Sequence, residues 1–245
     1  MRRLDQLIAH NLGISRKATA RLIARGRVRE PGGEPVDGRK LLKNAEFPVL
    51  VEIDHEPVEL VAAMHVALHK PAGVVTAMKD PDHPIAADLV RDLPLGHDLR
   101  PVGRLDKETT GLLLWTTDGQ LLHRLTHRRF QVRREYHVAL ARPHAPLPDR
   151  VELADGHVPT ILGLHAMSRE QAHPALAAPP DATNFVRIEL GSGSYHEVRR
   201  IFAALGSHVL GLARVAHGPI RLDPDHPVGE VRRLDLPALV AEAAS

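Results

Sequence analysis

The sequence predicts an α+β fold in which a small basic α/β domain precedes a larger domain built on a mixed, largely antiparallel sheet. Strand-like segments outnumber helical ones, and the helices do not alternate with strands in a regular βαβ rhythm. Basic residues are concentrated in the first 45 positions, and the composition changes near Glu59. We therefore expect the two domains to span residues 1–58 and 62–245.

The first domain is expected to contain two helices followed by strands. Apolar residues recur at helical spacing from Leu4 to Leu12, and Gly13 stands where a helix-ending glycine belongs. Ser15 is a candidate N-cap for a second helix that ends at Gly26. The expected strands are 27–29 and 50–53, and residues 56–60 are expected to form a linker.

In the larger domain, apolar runs predict strands at 66–69, 112–116, 136–140 and 185–190. Asp118 is placed to cap a helix that continues through Leu125, and a second helix is expected from His196 to Leu205. A short third helix is expected at 86–90. Alanine and proline predict a loop at 172–182.

Composition excludes several classes of function. The 245 residues include no cysteine, which excludes disulfides, thiolate nucleophiles and cysteine-bound metals. No apolar run is long enough to cross a membrane, and the first residues lack the apolar core of a signal peptide. We therefore expect a cytoplasmic protein without a membrane partner.

Seventeen histidines raise the question of a metal site. His123 and His127 are four residues apart on an expected helix, but no glutamate follows His123, as the zinc-protease pattern requires. His196-Glu197 begins the same pattern, but Arg200 occupies the place of its second histidine. Phosphate-binding and dinucleotide-binding glycine motifs are also absent. No metal and no cofactor are expected.

The charge distribution favours a polyanionic partner. The net charge is only +2, but residues 1–45 hold eleven basic residues against four acidic ones. Several of the basic residues fall on the second expected helix, where they could follow a phosphate backbone. The alternative interpretation is a solvated, arginine-rich surface without a ligand.

Three separated stretches carry residue types that are typical of an active site. They are Gly103–Leu113, Arg134–Tyr136 and Gly193–Arg200, and Leu212-Ala213-Arg214 follows the last of them. Taken singly, Asp106 would be a turn or capping residue, Tyr136 a half-buried strand residue and Arg199 a helix surface residue.

Together, and in this order, the stretches resemble the pseudouridine synthases that act on ribosomal RNA. Gly-Arg-Leu-Asp (103–106), followed two residues later by Thr-Thr-Gly-Leu-Leu, is the most specific motif of that group. The first domain, with Arg3-Leu4-Asp5 and Ser15-Arg16, resembles a small RNA-binding domain shared with a ribosomal small-subunit protein and tyrosyl-tRNA synthetase. The segment 80–84 is more similar to the small-subunit enzymes than to the large-subunit ones. The resemblance covers nearly the whole chain.

The resemblance implies roles for individual residues. Asp106 matches the catalytic aspartate, Tyr136 the tyrosine that stacks on the target base, and Arg199 the basic residue that pairs with the aspartate. The residues expected to face RNA are Arg3, Arg16, Lys17, Arg21, Arg25, Arg104, Arg200 and Arg214. Two positions depart from the pattern, because Glu197 replaces the usual glutamine and Arg134 a frequent lysine.

The function implied is the isomerisation of one uridine in ribosomal RNA to pseudouridine by a monomer, with 16S rRNA or a small-subunit assembly intermediate as substrate. The reaction exchanges a C–N for a C–C glycosidic bond and loses no group or electron, so it needs no redox or group-carrying cofactor. A carboxylate beside an arginine suits it, as a nucleophile on the ring or the sugar or as a base. The alternatives are a 23S rRNA substrate and a non-catalytic RNA-binding assembly factor.

Overall fold

The computed structural model describes residues 1–43 and 47–243, which divide into two compact units. The N-terminal unit comprises Met1–Met64 together with Val90–Leu99. The larger unit comprises His65–Leu89 and the chain from Arg100 onward. Residues 90–99, which the sequence analysis assigned to the second domain, therefore cluster with the first, and the chain passes between the units three times.

The elements of the N-terminal unit are β1 (Arg2–Arg3), α1 (Leu4–Asn11), α2 (Arg16–Ala24), β2 (Val28–Arg29), β3 (Leu41–Leu42), β4 (Val49–Ile53), β5 (Glu56–Leu60) and a 3-10 turn at Gly96–Asp98. Strands β2, β4 and β5 form an antiparallel sheet, and β1 pairs with β3. Leu4, Leu7 and Ile8 of α1 pack with Val28 and Leu60 in the core of this unit. Ser15 caps α2, as expected, by accepting a hydrogen bond from the backbone N–H of Ala18 at 3.2 Å.

Residues 56–60 form strand β5 and not the expected linker. They pair along their whole length with β4, and Leu60 is fully buried. The connection consists of Asp54 and His55, both with positive φ, as in a tight two-residue hairpin. The sequence analysis missed the hairpin because this turn lacks the Asn-Gly or Asp-Gly pair that usually marks one.

The elements of the larger unit are β6 (His65–Lys70), β7 (Arg100–Pro101), β8 (Thr110–Thr116), α3 (Gly119–Thr126), a 3-10 turn (Arg128–Phe130), β9 (Arg134–Leu140), β10 (Ile161–Met167), β11 (Asn184–Leu190), α4 (Glu197–Ala204), β12 (Val209–His217), β13 (Ile220–Arg221), β14 (Val231–Arg233) and α5 (Leu236–Glu242). In the described residues nine of these strands form one sheet of order β10-β11-β9-β12-β8-β6-β14, with β13 on β12 and β7 on β8. Among the strands of the described residues, β8 and β12 form the one parallel pair. The predicted α+β class with a mixed, largely antiparallel sheet is confirmed.

Helices α3 and α5 cover one face of the sheet at its central strands, and all seven residues of β8 are buried. Leu112 and Leu114 of β8 belong to the same core cluster as Leu121 of α3 and Leu236 of α5. Asp118 caps α3 as predicted, since its Oδ1 accepts hydrogen bonds from the N–H groups of residues 120 and 121. The burial of β8 explains why its sequence is an uninterrupted apolar run.

Residues 86–90 form turns, so the helix predicted there is wrong. The N–H of Ala86 donates to the carbonyl of Val75, and an isolated bridge joins Val75 to Ile85. The backbone is therefore paired with a distant segment and does not form an i to i−4 ladder. The loop predicted at 172–182 is confirmed. Within the described residues no helix has both the length and the apolar character needed to cross a bilayer.

Candidate active site

Asp106 lies in the turn between β7 and β8 of the larger unit. The turn is closed by a hydrogen bond from the N–H of Thr109 to the carbonyl of Asp106 at 3.0 Å. Thr76 fixes Leu105, the residue before Asp106. The Thr76 hydroxyl donates to the carbonyl of Leu105 at 2.8 Å and accepts from the N–H of Leu105 at 3.1 Å. The backbone on either side of Asp106 is therefore fixed by contacts from other parts of the chain.

Lys70, the last residue of β6, holds the same turn through hydrogen bonds from its side chain. Its side chain is fully buried, and Nζ donates to the carbonyls of Pro71, Lys107 and Thr109 at 2.8, 3.1 and 2.8 Å. Burial lowers the pKa of Lys70 to about 8, and the nearby carboxylates of Glu108 and Asp106 oppose this shift. The sequence predicted a strand at 66–69, just before Lys70, but gave no indication of a role for Lys70 itself.

Two basic side chains approach the carboxylate of Asp106. Nε2 of His196 lies 3.5 Å from Oδ1, and Nε of Arg199 lies 3.9 Å from Oδ2. The expected pairing of Arg199 with Asp106 is therefore present as an ion contact, longer than a hydrogen bond. His196 belongs to the stretch Gly193–Arg200 that the sequence marks as part of an active site, but the only individual role weighed for it from the sequence was that of a metal ligand.

Tyr136 and Arg214 face each other on neighbouring strands. Strands β9 and β12 run antiparallel with Tyr136 opposite Arg214, and both side chains line the same cavity as Asp106. Arg214 is buried, and its Nε donates to the carbonyl of Leu112 at 2.9 Å. Gly111 makes this packing possible, because a Cβ at that position would lie 2.3 Å from the carbonyl oxygen of Arg214.

The cavity is lined by residues from all three motif stretches. Among the residues predicted for the site, it brings together Asp106, Tyr136, Arg199, Arg104 and Arg214. Arg200 is not among the lining residues. Its guanidinium is bonded to the carboxylate of Asp155 and to the carbonyl of Tyr195 in the segment that leads into α4.

The two departures from the family pattern have structural partners. Oε1 of Glu197 accepts hydrogen bonds from His157 at 2.7 Å and from Ser194 at 3.2 Å, and the side chain is only 3% exposed. Its added charge is therefore directed toward His157, which the sequence analysis did not single out. Nη1 of Arg134 donates to the carbonyls of Val132 and Ser192 at 3.0 and 3.2 Å, at the edge of the cavity.

In the N-terminal unit, the predicted RNA-facing residues of α2 form an exposed basic stripe. Lys17, Arg21 and Arg25 follow one another at intervals of four residues, and Arg16 lies beside them. None of the four makes a salt bridge within the described residues. Arg3 differs, because it pairs with Asp5 at 2.6 Å.

The geometry suits covalent or acid–base chemistry on a planar ligand. A carboxylate open to the cavity, next to a cation and an aromatic ring, can attack or deprotonate a group held against that ring. Over residues 1–43 and 47–243, no three histidine, aspartate or glutamate side chains are grouped so as to hold a metal ion.

Comparisons with known proteins point to one family. A sequence profile of the family RNA pseudouridylate synthase matches residues 64–204. The chain is 38% identical over 238 residues to ribosomal small subunit pseudouridine synthase A of Escherichia coli (strain K12), covering 95% of this chain and 96% of that protein. It is 33% identical to an uncharacterized RNA pseudouridine synthase of Aquifex aeolicus (strain VF5), covering 95% and 92%. A crystal structure of a pseudouridylate synthase aligns with a TM-score of 0.56 at 30% identity over 98% of both chains.

Proposed function

The chain belongs to the RNA pseudouridylate synthase family, and from this premise we propose that it isomerises one uridine of small-subunit (16S) ribosomal RNA with Asp106 as catalytic residue. The family supplies the reaction, which is pseudouridine synthesis in RNA. The observation that carries the residue assignment is the position of the Asp106 carboxylate, which lies in the cavity 3.9 Å from Arg199 and shares it with Tyr136.

Asp106 acts on the target nucleotide as nucleophile or as base. Its side chain is 32% exposed, so a ligand can reach it, while the backbone around it is held by Thr76 and Lys70. A rigid carboxylate needs little reorganisation when it engages the substrate. Attack on the ring, attack on the sugar and proton abstraction from the sugar are all compatible with this position.

Tyr136 provides the surface on which the target base rests. A uridine must leave its stack to enter the cavity, at a cost of a few kcal/mol. Stacking on an aromatic ring offsets part of that cost, by roughly 1–3 kcal/mol per base. Because Tyr136 is itself held in the middle of the sheet, opposite Ile188 and Arg214, its ring is fixed in place before the base arrives.

The substrate class rests on the relatives. Several proteins that are 32–38% identical over about 95% of this chain carry the name ribosomal small subunit pseudouridine synthase A. Small-subunit rRNA is therefore the substrate that we assign, as free RNA or in an assembly intermediate.

The first prediction is that Asp106→Asn abolishes pseudouridine formation. The amide can be neither the nucleophile nor the base, but it keeps the size of the side chain. The Kd for rRNA should stay within about twofold, since phosphate contacts supply most of the affinity. The measurement is a carbodiimide-based pseudouridine map of 16S and 23S rRNA after incubation with either protein.

Asp149→Asn is the matched control, because Asp149 is exposed and is not a lining residue of the cavity. It should give the wild-type map. An active Asp106→Asn protein would contradict the residue assignment. A product site in 23S rRNA alone would contradict the substrate assignment, and binding without product on any rRNA or precursor particle would favour the non-catalytic alternative.

A second prediction concerns the basic stripe of α2, which we propose contacts RNA phosphates. Replacing Lys17 and Arg21 with alanine should weaken rRNA binding and reduce the magnitude of the slope of log K against log salt concentration by about 1.4–1.8, since each lost phosphate contact removes roughly 0.7–0.9. The measurement is a salt titration of the Kd.

The matched control removes the same charge from the same unit. Arg27 pairs with Asp54, and Lys40 pairs with Glu30 at 3.2 Å, so both cations are already engaged. Replacing Arg27 and Lys40 with alanine should change the salt slope by less than half as much as replacing Lys17 and Arg21. Equal slopes for the two double variants would show that net charge, and not the α2 stripe, governs binding.

A further inference from the structure

Arg214 is a buried cation without an anionic partner among the described residues. The residue is 1% exposed, and no carboxylate of residues 1–43 or 47–243 lies within salt-bridge distance of it. Burial lowers the pKa of its guanidinium, and the neighbouring Arg134 lowers it further, while Tyr136 opposes the shift. A guanidinium remains charged in spite of such shifts. An unpaired buried charge lowers the stability of the folded protein, so the presence of the Arg214 guanidinium in the site needs a physical reason.

The guanidinium of Arg214 is held at Nε, and its other two nitrogens differ in their surroundings. Nε is bonded to the carbonyl of Leu112 at 2.9 Å, which fixes the plane of the guanidinium. Nη2 is buried and has no hydrogen-bond partner among the described residues. Nη1 lies beside Gly103, at 3.9 Å from where a Cβ would stand, at the start of the turn that carries Asp106. Because Gly103 and Arg214 both line the cavity, Nη1 is a fixed donor beside the cavity that holds the catalytic carboxylate.

The chemistry of the proposed reaction creates a negative charge on the base. When the C1′–N1 bond breaks, its electron pair stays on the uracil and is shared with the oxygens O2 and O4. C5 then bonds to C1′, the C5 proton leaves, and N1 ends protonated, so that no atom is lost overall. If a nucleophile instead adds to C6, the charge moves onto O4. In either route an oxygen of the uracil gains negative charge.

We propose that the guanidinium of Arg214 donates a hydrogen bond, through Nη1 beside Gly103, to a carbonyl oxygen of the target uracil and stabilises the negative charge that the base carries during the reaction. This inference rests on the proposed function. This role differs from the one expected of the exposed Arg104, because Arg214 is buried in the sheet and lines the cavity that the target base enters. A preorganised donor in a dry site is most effective where charge develops.

The test compares three RNA fragments that contain the mapped target site with uridine, 2-thiouridine or 4-thiouridine at the target. Sulfur accepts hydrogen bonds weakly, so sulfur at the contacted oxygen should slow the single-turnover rate of the wild-type enzyme about tenfold or more. In Arg214→Gln, which lacks the cation, the same substitution should slow the already reduced rate less than about twofold. The intrinsic reactivity of each thio-base is common to both enzymes and cancels in the comparison.

Two further variants separate this role from a structural one. Leu112→Ala removes a buried side chain but keeps the carbonyl that holds Arg214, so it should lose stability and retain the wild-type thio effect. Arg214→Lys keeps the charge and should recover part of the rate. Equal thio effects in wild type and Arg214→Gln, or loss of the effect in Leu112→Ala, would overturn the proposal.

The proposal remains testable if Arg214→Gln does not fold. Arg214→Met, which has a side chain of similar length and no charge, then takes its place, and a thio effect equal to that of the wild type would overturn the proposal. A wild-type enzyme that forms no pseudouridine in rRNA would instead overturn the proposed function, so the two failures are distinguishable.

Discussion

Lys70 illustrates how a single side chain positions the catalytic turn. A buried ammonium would ordinarily be destabilising, but its three donors match three carbonyls, two of which, from Lys107 and Thr109, belong to the turn of Asp106. The contact joins positions 37 and 39 residues apart in the sequence. Lys70 is thus a positioning residue that acts through the backbone and does not touch the substrate.

We predict that Lys70→Met lowers the free energy of unfolding at pH 7 by about 1–3 kcal/mol, because buried carbonyls lose their donor. The deficit should grow with pH. The pKa of Lys70 is about 8 in the folded protein and 10.5 in its unperturbed state, which stands for the unfolded chain. Between these two pH values the Lys70 side chain is protonated in the unfolded chain and largely unprotonated in the folded protein. Wild-type stability therefore rises from about pH 8 to 10.5 relative to the variant.

Denaturant unfolding of both proteins between pH 7 and 10.5 checks this prediction, because every other titration is common to the two. A constant difference across the range would show that the pKa of Lys70 is not lowered by folding. The Lys70→Met variant should also form pseudouridine with a lower kcat at an unchanged Kd for RNA, because only the backbone around Asp106 is loosened.

At the scale of elements, the parallel contact between β8 and β12 decides the geometry of the site. It consists of two residue pairs, Ala213 with Thr110 and Arg214 with Gly111, and it places Arg214 next to the turn of Asp106. Gly111 has a φ of +99°, a conformation that side chains disfavour, and its Cα approaches the backbone of Arg214 closely. The glycine of the Thr-Thr-Gly motif is thus required by strand packing.

We predict that Gly111→Ala destabilises the protein by about 3 kcal/mol or more, because both the positive φ and the contact with a backbone oxygen oppose a Cβ. Gly119, at the start of α3, is the matched control, since nothing lies within 4 Å of its Cβ position and its φ is not positive. Gly119→Ala should raise stability by about 0.4–1 kcal/mol. Urea unfolding of the two variants measures the contrast, and similar stabilities would contradict the role of Gly111.

At the scale of the whole molecule, the segment Val90–Leu99 belongs to the N-terminal unit although it lies within the sequence of the larger one. Leu95 and Leu99 are fully buried, and Nε2 of His10 on α1 lies 2.5 Å from the carboxylate of Asp98. The N-terminal unit is therefore built from two separate pieces of chain.

We predict that amides of 90–99 exchange hydrogen together with the N-terminal unit. Leu7→Ala removes a core side chain of that unit, 1% exposed, and should lower its local stability by about 2–5 kcal/mol. Amides such as those of Gly96 and Leu99 should then exchange faster, while amides of β8 should not. Leu113→Ala in β8 is the reciprocal control. Exchange of 90–99 that follows β8 would contradict this assignment.

The sequence by itself determined the elements whose signals are local and the residues that carry the chemistry. Caps at Ser15 and Asp118 and apolar runs such as 112–116 depend on neighbouring residues, and the structure has them where they were expected. Asp106, Tyr136 and Arg199 were predicted because the order of their motifs resembles a family. That the three side chains share one cavity is a property of the fold.

The tertiary structure alone decided which charges are paired and which are free. The buried ammonium of Lys70, the partner of Glu197 at His157 and the unpaired Nη2 of Arg214 depend on contacts between residues 37 to 102 positions apart. The hairpin that replaces the expected linker and the turns at 86–90 depend likewise on backbone pairing with other segments. Local periodicity cannot report such contacts, because burial and hydrogen-bond satisfaction are properties of the packed chain.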